Sequence, residues 1–354
     1  MAKLNLKKYT DFAVERTIEL LNIDSPTGYT SDAAKYVFDQ FKKLGYEPEY
    51  TGKGGVLVCI GAPAKKGSSA KENGLLIEAH TDTLGGMVAT IKSNGRLELT
   101  NLGGMNANNA ETENVRIITK FDGIYEGTLQ LNNASIHVNG DYDDIKRTWQ
   151  STEVVIDEDV KTADETKALG ISVGDIVCFE PNARVTKSGY IKSRFLDDKL
   201  SVGILLGYAK YIKEKKVTLN RPVYVHVTVY EEVGHGGCSS VPEGCTEALS
   251  VDMGCVGEGL TCTEKQVSIC AKDSGGPYAY EIVKGLIQAA KDSGADYAVD
   301  VYPHYGSDVE ATLRAGYDIK HALIGAGVYA SHGYERSHIE GVHNVLRLLV
   351  QYTK

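Results

Sequence analysis

Apolar residues recur every three to four positions in several stretches of the chain, and this period predicts amphipathic helices. The helical stretches are residues 7–22, 32–44, 199–213, 278–293 and 338–353. Short runs between them are rich in apolar and β-branched residues, which predicts strands. The strand runs are residues 55–60, 75–79, 223–230, 248–251 and 321–329. This alternation predicts an α/β fold with a mixed, largely parallel sheet sandwiched by helices.

The pattern changes in the middle of the chain. Residues 87–189 contain short segments in which apolar and polar residues alternate, separated by turn signals. This pattern predicts a small β-barrel or a sandwich. Helical periodicity survives there only at residues 141–150 and 164–169. We therefore expect a β-rich domain, inserted between the two parts of a catalytic α/β domain at residues 1–86 and 190–354.

Composition and charge exclude several classes of function. The chain has 354 residues, a net charge of −9 and a pI near 5.6, which argues against nucleic acid and against an anionic membrane surface as partners. No stretch approaches the ~20 apolar residues of a membrane span, and the start of the chain lacks the pattern of a signal peptide. The seven cysteines include no CxxC pair, which is typical of reduced thiols. These features predict a soluble, cytoplasmic protein.

Histidines and acids stand where several predicted elements begin or end. These residues are His80, Asp82, Asp197, Asp198, Glu231, Glu232, Asp252 and His332. Open α/β sheets bind their ligands at the carboxyl ends of the strands, so we expect these side chains to converge. Two histidines and three carboxylates form a ligand set for two divalent ions, with zinc favoured, and a remaining acid can move protons.

Each of these segments also has a structural alternative. Adjacent acids before a helix commonly cap its N-terminus, as Asp197 and Asp198 would. A pair such as Glu231-Glu232 is often a solvated edge, although unpaired carboxylates are costly next to sheet interior. As a functional pair, one glutamate would ligate a metal while its neighbour faces the attacking water. Asp197 is the natural candidate for a carboxylate that bridges two metals.

The segments AHTDT, RFLDDK, TVYEEVG, SVDMG and ASHGYER, in this order and spacing, resemble a known family. They are similar to the dinuclear metallo-aminopeptidases of the tetrahedral, twelve-subunit (TET) type. That family includes glutamyl, leucyl and lysyl aminopeptidases, some of them long mislabelled as endoglucanases. The resemblance covers nearly the whole chain. It implies a zinc-peptidase fold, an inserted oligomerisation domain and a homo-oligomer, the tetrahedral dodecamer.

The resemblance also implies how the metals are held. His80 and Asp252 would bind one ion, Glu232 and His332 would bind the other, and Asp197 would bridge the two. The cofactors would be two divalent ions per subunit, Zn²⁺ first, with Co²⁺ or Mn²⁺ as alternatives.

The same resemblance assigns the proton chemistry. Glu231 would be the general base that activates the water, and Asp82 would be the carboxylate that steadies His80. A cis peptide is expected between Asp197 and Asp198. The implied substrates are peptides with a free N-terminus.

Several positions depart from the commoner family pattern. Thr83 replaces a frequent acid, His235-Gly236-Gly237 follows the glutamate pair, and residues 328–331 read Val-Tyr-Ala-Ser. We expect these changes to lie near the substrate, where His235 in particular could make contact.

Three other features allow two interpretations each. His338 is a second candidate for the role of His332, but it opens a helix instead of ending a strand. Gly306-Ser307-Asp308 is either a helix cap or a pocket wall. Residues 103–109 (GGMNANN) are more consistent with a turn than with a phosphate-binding loop, because no strand and helix flank them in the required order.

The sequence thus favours a two-metal aminopeptidase. One alternative is an amidohydrolase of N-acyl amino acids or small amides on the same site. Another is a non-catalytic metal-bearing scaffold, although the complete ligand set and Glu231 argue against it.

Overall fold

The computed structural model describes residues 5–61, 73–219 and 221–354. The α-helices in these ranges are α1 (Lys7–Leu21), α2 (Ser31–Lys43), α3 (Ala163–Ala168), α4 (Leu196–Lys215), α5 (Tyr280–Ser293), α6 (Asp308–Arg314) and α7 (Ile339–Tyr352). None of these helices combines the length and the apolar composition that crossing a bilayer requires. The polar stretch at residues 63–74, between the predicted strands at 55–60 and 75–79, lies almost entirely outside the described residues.

The strands in the same ranges form one large sheet and one barrel. They are β1 (Glu49–Tyr50), β2 (Val56–Cys59), β3 (Gly74–His80), β4 (Gly85–Ile91), β5 (Leu97–Leu102), β6 (Asn114–Ile118), β7 (Ile124–Leu131), β8 (Thr152–Ile156), β9 (Ile176–Phe179), β10 (Arg184–Val185), β11 (Tyr190–Ser193), β12 (Val223–Thr228), β13 (Cys245–Val251), β14 (Gly254–Val256), β15 (Val267–Lys272), β16 (Tyr297–Val301), β17 (Lys320–Tyr329) and β18 (Glu335–His338).

The centre of the large sheet is parallel. Its order is β1-β2-β12-β3-β13-β17-β18-β11-β10, with β14 and β15 also paired to β17, and β16 paired to β15. The neighbours β12, β3, β13 and β17 run in one direction, whereas β2 and β18 pair antiparallel to them. The predicted mixed, largely parallel sheet is therefore confirmed.

Helices pack on the large sheet and bury its apolar strands. Every residue of β3 is buried, as expected for a strand with helices on both faces. The long helix α4 packs on α1 and α7 and lies against β3 and β17, while α6 contacts β3, β13 and β17. The core is thus built from the runs that the apolar pattern identified.

The inserted region is a closed antiparallel barrel. Its strand order is β4-β5-β8-β7-β6-β9, which confirms the predicted small β-barrel. The barrel begins at Gly85 and ends at Phe179, whereas β10, which lies within the predicted insert, pairs with β11 of the large sheet. The division into domains at residues 86 and 189 stays a prediction.

One predicted helix in this region is wrong. Residues 141–150 form turns, although the helix predicted at 164–169 is present as α3. The Arg147 guanidinium donates to the carbonyls of Tyr142 and Ile145 and to the carboxylate of Glu111. These side-chain bonds satisfy carbonyls that a helix would otherwise satisfy with its own N–H groups.

Candidate metal centre

The predicted ligands converge at the carboxyl ends of the parallel strands. His80 is the last residue of β3, and Asp252 directly follows β13. Glu231 and Glu232 lie three and four residues past β12, and His332 lies three residues past β17. Because β12, β3, β13 and β17 are neighbours, residues from distant parts of the chain share one edge of the sheet.

The remaining acids come from the start of α4. Asp197 and Asp198 have non-helical backbone angles, and the peptide bond between them is cis, as the resemblance implied. The preceding residue, Phe195, has a φ of 69°, in the left-handed region that non-glycine residues seldom adopt. This backbone path directs the Asp197 carboxylate towards the strand ends.

Asp197 lies between the two histidines. Its Oδ1 is 3.2 Å from Nε2 of His80, and its Oδ2 is 3.5 Å from Nε2 of His332. His332 Nε2 is also 3.8 Å from Oε2 of Glu232. One carboxylate with an oxygen facing each imidazole is the arrangement that a bridging ligand requires.

Two overlapping groups of donors fit a metal ion. The donor atoms of His80, Asp198 and Asp252 lie within 4.8 Å of one another, and so do those of His80, Asp197 and Glu232. Oδ1 of Asp198 and Oε1 of Glu232 are buried and have no hydrogen-bond partner among the described residues. Buried carboxylate oxygens in native proteins nearly always have a partner. Imidazole nitrogen and carboxylate oxygen are ligands of zinc and related divalent ions, so the residues present fit such an ion.

The charges of Asp197 and His332 stabilise each other. Burial disfavours the Asp197 carboxylate, but hydrogen bonds with His332 and His80 outweigh it and hold the pKa of Asp197 below its usual range. The bond to Asp197 raises the pKa of His332 to about 10. Without a metal the two groups therefore form an ion pair, and a metal ion bound to His332 would take the place of its imidazole proton.

The other carboxyl groups are crowded together. Burial is the main reason that their pKa values lie above the usual range, and the negative charge of a neighbouring carboxylate adds to it for several of them. The groups are Asp198, Glu231, Glu232 and Asp252, of which Asp252 reaches about 7. A divalent cation among them would favour their ionised forms.

Asp82 contacts both His80 and the glutamate pair. The His80 ring hydrogen-bonds through Nδ1 to the backbone carbonyl of Asp82 at 2.9 Å, while Oδ1 of the Asp82 carboxylate lies 3.6 Å from the same nitrogen. That carboxylate accepts the backbone N–H groups of Glu231 and Glu232, at 3.1 and 3.4 Å, and the Thr27 hydroxyl at 2.6 Å. The Asp82 carboxylate therefore connects the end of β3 with the segment after β12. The sequence indicated a contact of Asp82 with His80, but it did not indicate this second contact with the glutamate pair.

A cavity of about 640 Å³ opens over this cluster. Its walls include Asp197, Glu231, Glu232, Asp252, Met253, Ser274, His304, Tyr305, Asp308, Arg314 and His332. Arg314 is the one lysine or arginine among the described residues that line it. A molecule in this cavity would therefore lie against the predicted ligands.

The segment at residues 306–308 is a pocket wall, but it makes no side-chain cap, since the N-cap residue of α6 is Ser307 and its side chain accepts no N–H of the helix. Asp308 opens α6, and it also lines the cavity. Its Oδ1 accepts the N–H of Gly237 at 2.7 Å, and its Oδ2 accepts the Thr228 hydroxyl. The carboxylate thus connects α6 with the end of β12 and with the glycine turn that follows it.

The departures from the family pattern lie in different places. Ser331 lines the cavity, but Thr83 is buried and its hydroxyl donates to the carbonyl of Leu84. His235 is exposed and is not among the cavity-lining residues. His338 bonds through Nδ1 to the N–H of Glu340 and through Nε2 to a backbone carbonyl, so its ring has no free nitrogen for a metal.

Two groups of residues around the site were not found from the sequence. The first is Glu335, which accepts backbone N–H groups of Asp197 and His332. The second is the glycine pair of the 103–109 segment. A Cβ on Gly104 would lie 2.6 Å from Nδ1 of His332, and one on Gly103 would lie 3.1 Å from Cβ of Glu232. Paired glycines indicate that another part of the protein packs closely against the backbone, but the sequence did not show that this part would be Glu232 and His332.

Comparisons with known proteins agree with this architecture. The profile of the M42 glutamyl aminopeptidase family matches residues 61–348. YhfE of Bacillus subtilis (strain 168), which carries the name of an aminopeptidase, is 39% identical over 336 residues, 95% of each chain. A TET aminopeptidase from a marine sediment Thaumarchaeota archaeon has a similar structure, with a TM-score of 0.85 at 18% identity over 97% of this chain and 96% of that one. The Pyrococcus horikoshii TET1 peptidase, which assembles into a tetrahedron or an octahedral shell, gives a TM-score of 0.83 at 20% identity over 96% and 99%.

Proposed function

Because the chain belongs to the M42 glutamyl aminopeptidase family and is a peptidase, we propose that it removes N-terminal residues from peptides with two metal ions. The observation that carries this proposal is Asp197, with one carboxylate oxygen facing His80 and the other facing His332. His80 and Asp252 would hold one ion, and Glu232 and His332 the other. Asp197 would bridge them.

The metals complete the chemistry of the site. Bound by these residues, the ions would act as Lewis acids that polarise the scissile carbonyl and lower the pKa of the attacking water. Zn²⁺ suits a mixed histidine and carboxylate site, and Co²⁺ or Mn²⁺ can use the same ligands.

Glu231 is the group that would move the proton. Its Oε2 lies 3.7 Å from Nε2 of His80, and its side chain is 14% exposed at the cavity wall. Burial raises its pKa, which makes its carboxylate a stronger base for the proton of the attacking water. The same carboxyl group can then donate that proton to the leaving amine.

The acidic cluster would favour substrates with a free N-terminus. The α-ammonium group of a peptide is positively charged, and this end of the cavity is lined by carboxylates. An N-acetylated substrate lacks that charge. This difference in charge would lead the site to favour the substrates of an aminopeptidase over those of an amidohydrolase of N-acyl amino acids.

We further propose a homo-oligomer that acts in the cytoplasm. The barrel would be the assembly domain, by analogy with the TET peptidases of similar fold. None of the cysteines in the described residues forms a disulfide, which suits a reducing compartment.

The test is hydrolysis of a panel of free-amine aminoacyl anilides beside their N-acetylated counterparts, with enzyme loaded with Zn²⁺, Co²⁺ or Mn²⁺. We expect cleavage of the free amines alone, and the panel would also identify the preferred residue. Cleavage of the acetylated set would favour the amidohydrolase, and cleavage of neither set would favour the scaffold.

A further inference from the structure

Glu335 is a buried carboxylate beside the metal centre whose two oxygens serve different elements. It is the first residue of β18 and is 2% exposed. Its Oε2 accepts the backbone N–H of Asp197 at 3.0 Å, and its Oε1 accepts the backbone N–H of His332 at 3.1 Å. One side chain therefore connects the segment that begins α4 with the segment that follows β17.

Neither Asp197 nor His332 has regular backbone angles, although Asp197 lies in the first turn of α4. His332 has a φ of 61°, and Ala330 two residues earlier has a φ of 59°. A non-glycine residue in this left-handed region costs about 1 kcal/mol or more, so surrounding contacts must hold it. Asp197 has a φ of −73° and a ψ of 103°, outside the helical range.

Glu335 does not point at the cavity. It is absent from the described residues that line it, and both of its oxygens are engaged by N–H groups. With one backbone N–H group on each oxygen, the Glu335 carboxyl group fixes two backbone segments at once.

We propose that Glu335 is a positioning residue that sets the separation of Asp197 and His332, and with it the affinity for the metal that these two residues share. The inference rests on the proposed two-metal function. The residue would act through the backbone of the ligands, without touching metal or substrate.

Glu335→Gln tests this role because an amide offers one oxygen acceptor and cannot accept both N–H groups. We would titrate Zn²⁺ into the metal-free protein against a chromophoric chelator and compare variant with wild type. We expect the zinc affinity of the site proposed for Asp197, Glu232 and His332 to fall about 10- to 100-fold, as for other residues that orient metal ligands. We expect kcat to drop at limiting zinc and to recover in part with excess zinc.

Glu264→Gln is the matched control. Glu264 accepts a hydrogen bond from Arg336, the next residue of the same strand, but does not contact Asp197 or His332. We expect wild-type zinc affinity in this variant. Near-ultraviolet circular dichroism of both metal-free variants would establish that they are folded.

Wild-type zinc affinity in folded Glu335→Gln would overturn the inference, even if that variant melted at a lower temperature. Failure of wild-type enzyme to bind two ions or to cleave free-amine substrates would instead overturn the proposed function. If Glu335→Gln does not fold, Glu335→Asp is titrated in the same way. Its shorter side chain cannot reach both N–H groups, so an unchanged affinity would again refute the role.

Discussion

At the scale of single residues, Glu231 and Glu232 are adjacent but have different surroundings. Glu231 lies 3.7 Å from His80 Nε2, whereas Glu232 lies 3.8 Å from His332 Nε2 and leaves its Oε1 without a hydrogen-bond partner among the described residues. The two residues lie in a 3₁₀ turn, Glu231–Val233, with three residues per turn, so their side chains point in different directions and one can ligate a metal while the other faces the water.

We predict that Glu231→Gln retains two zinc ions and loses turnover by a factor of about 10²–10⁴, the usual contribution of a general base. Glu232→Gln should lose zinc as well as activity. Atomic absorption of the purified variants and anilide hydrolysis measure both effects. Loss of metal from Glu231→Gln would contradict this division of roles.

Glu310 is an acid whose protonation is predicted to affect stability. Burial, and then the negative charge of Asp273, raise the pKa of Glu310 from 4.5 to about 7. Between these values the folded protein holds a proton that the unfolded chain has released. The contribution of Glu310 to stability is therefore present below about pH 4.5 and is lost as pH rises through about 7.

Glu310→Gln should therefore stabilise the protein at pH 8 but not at pH 5. The expected gain at pH 8 is about 1 kcal/mol, or about 2 °C in Tm for a protein of this size. Differential scanning calorimetry at both pH values measures it. Glu281→Gln, an exposed position on α5, is the control, and an equal gain at both pH values would refute the assignment.

At the scale of elements, the barrel contributes to the metal site through one segment. Gly103 and Gly104 lie against Glu232 and His332, and Asn109 donates from its side-chain amide to the carbonyl of His332 at 3.1 Å. The turn predicted at residues 103–109 is thus also a support for two of the predicted ligands.

Gly104→Ala should displace the His332 ring because the added Cβ would lie 2.6 Å from its Nδ1. We predict a fall in kcat/KM of about 10-fold or more, accompanied by weaker zinc binding, since a ligand moves. Steady-state kinetics and zinc titration provide the measurement. Gly140→Ala is the control, because nothing lies within 4 Å of its added Cβ. Unchanged kinetics in Gly104→Ala would show that the ring adapts without cost.

At the scale of the whole molecule, the proposed assembly predicts a large particle. A dodecamer would have about twelve times the subunit mass of 38.3 kDa. Size-exclusion chromatography with light scattering measures this mass directly. A monomer in solution would remove the oligomer from the proposal, without affecting the assignment of the metal ligands.

Much of this organisation followed from the sequence by itself. Hydrophobic period distinguished helices from strands because side chains repeat every 3.6 residues on one and every two on the other. Most long elements, such as β3 and α7, were predicted to within a few residues. The family resemblance was confirmed, since its motifs are local and keep their order along the chain. The convergence of the ligands also followed, because parallel strands place their carboxyl ends at one edge.

Only the tertiary structure decided how these parts contact one another. Glu335, Gly104 and the second contact of Asp82 depend on residues far apart in the chain, and no periodicity or spacing encodes such a pair. The turns at residues 141–150 also involve a distant partner, because the Arg147 guanidinium donates to the carboxylate of Glu111. Local patterns determine element type and ligand chemistry because both are properties of neighbouring residues. The geometry of the metal site depends on backbone approaches and hydrogen bonds that exist only once the chain has folded.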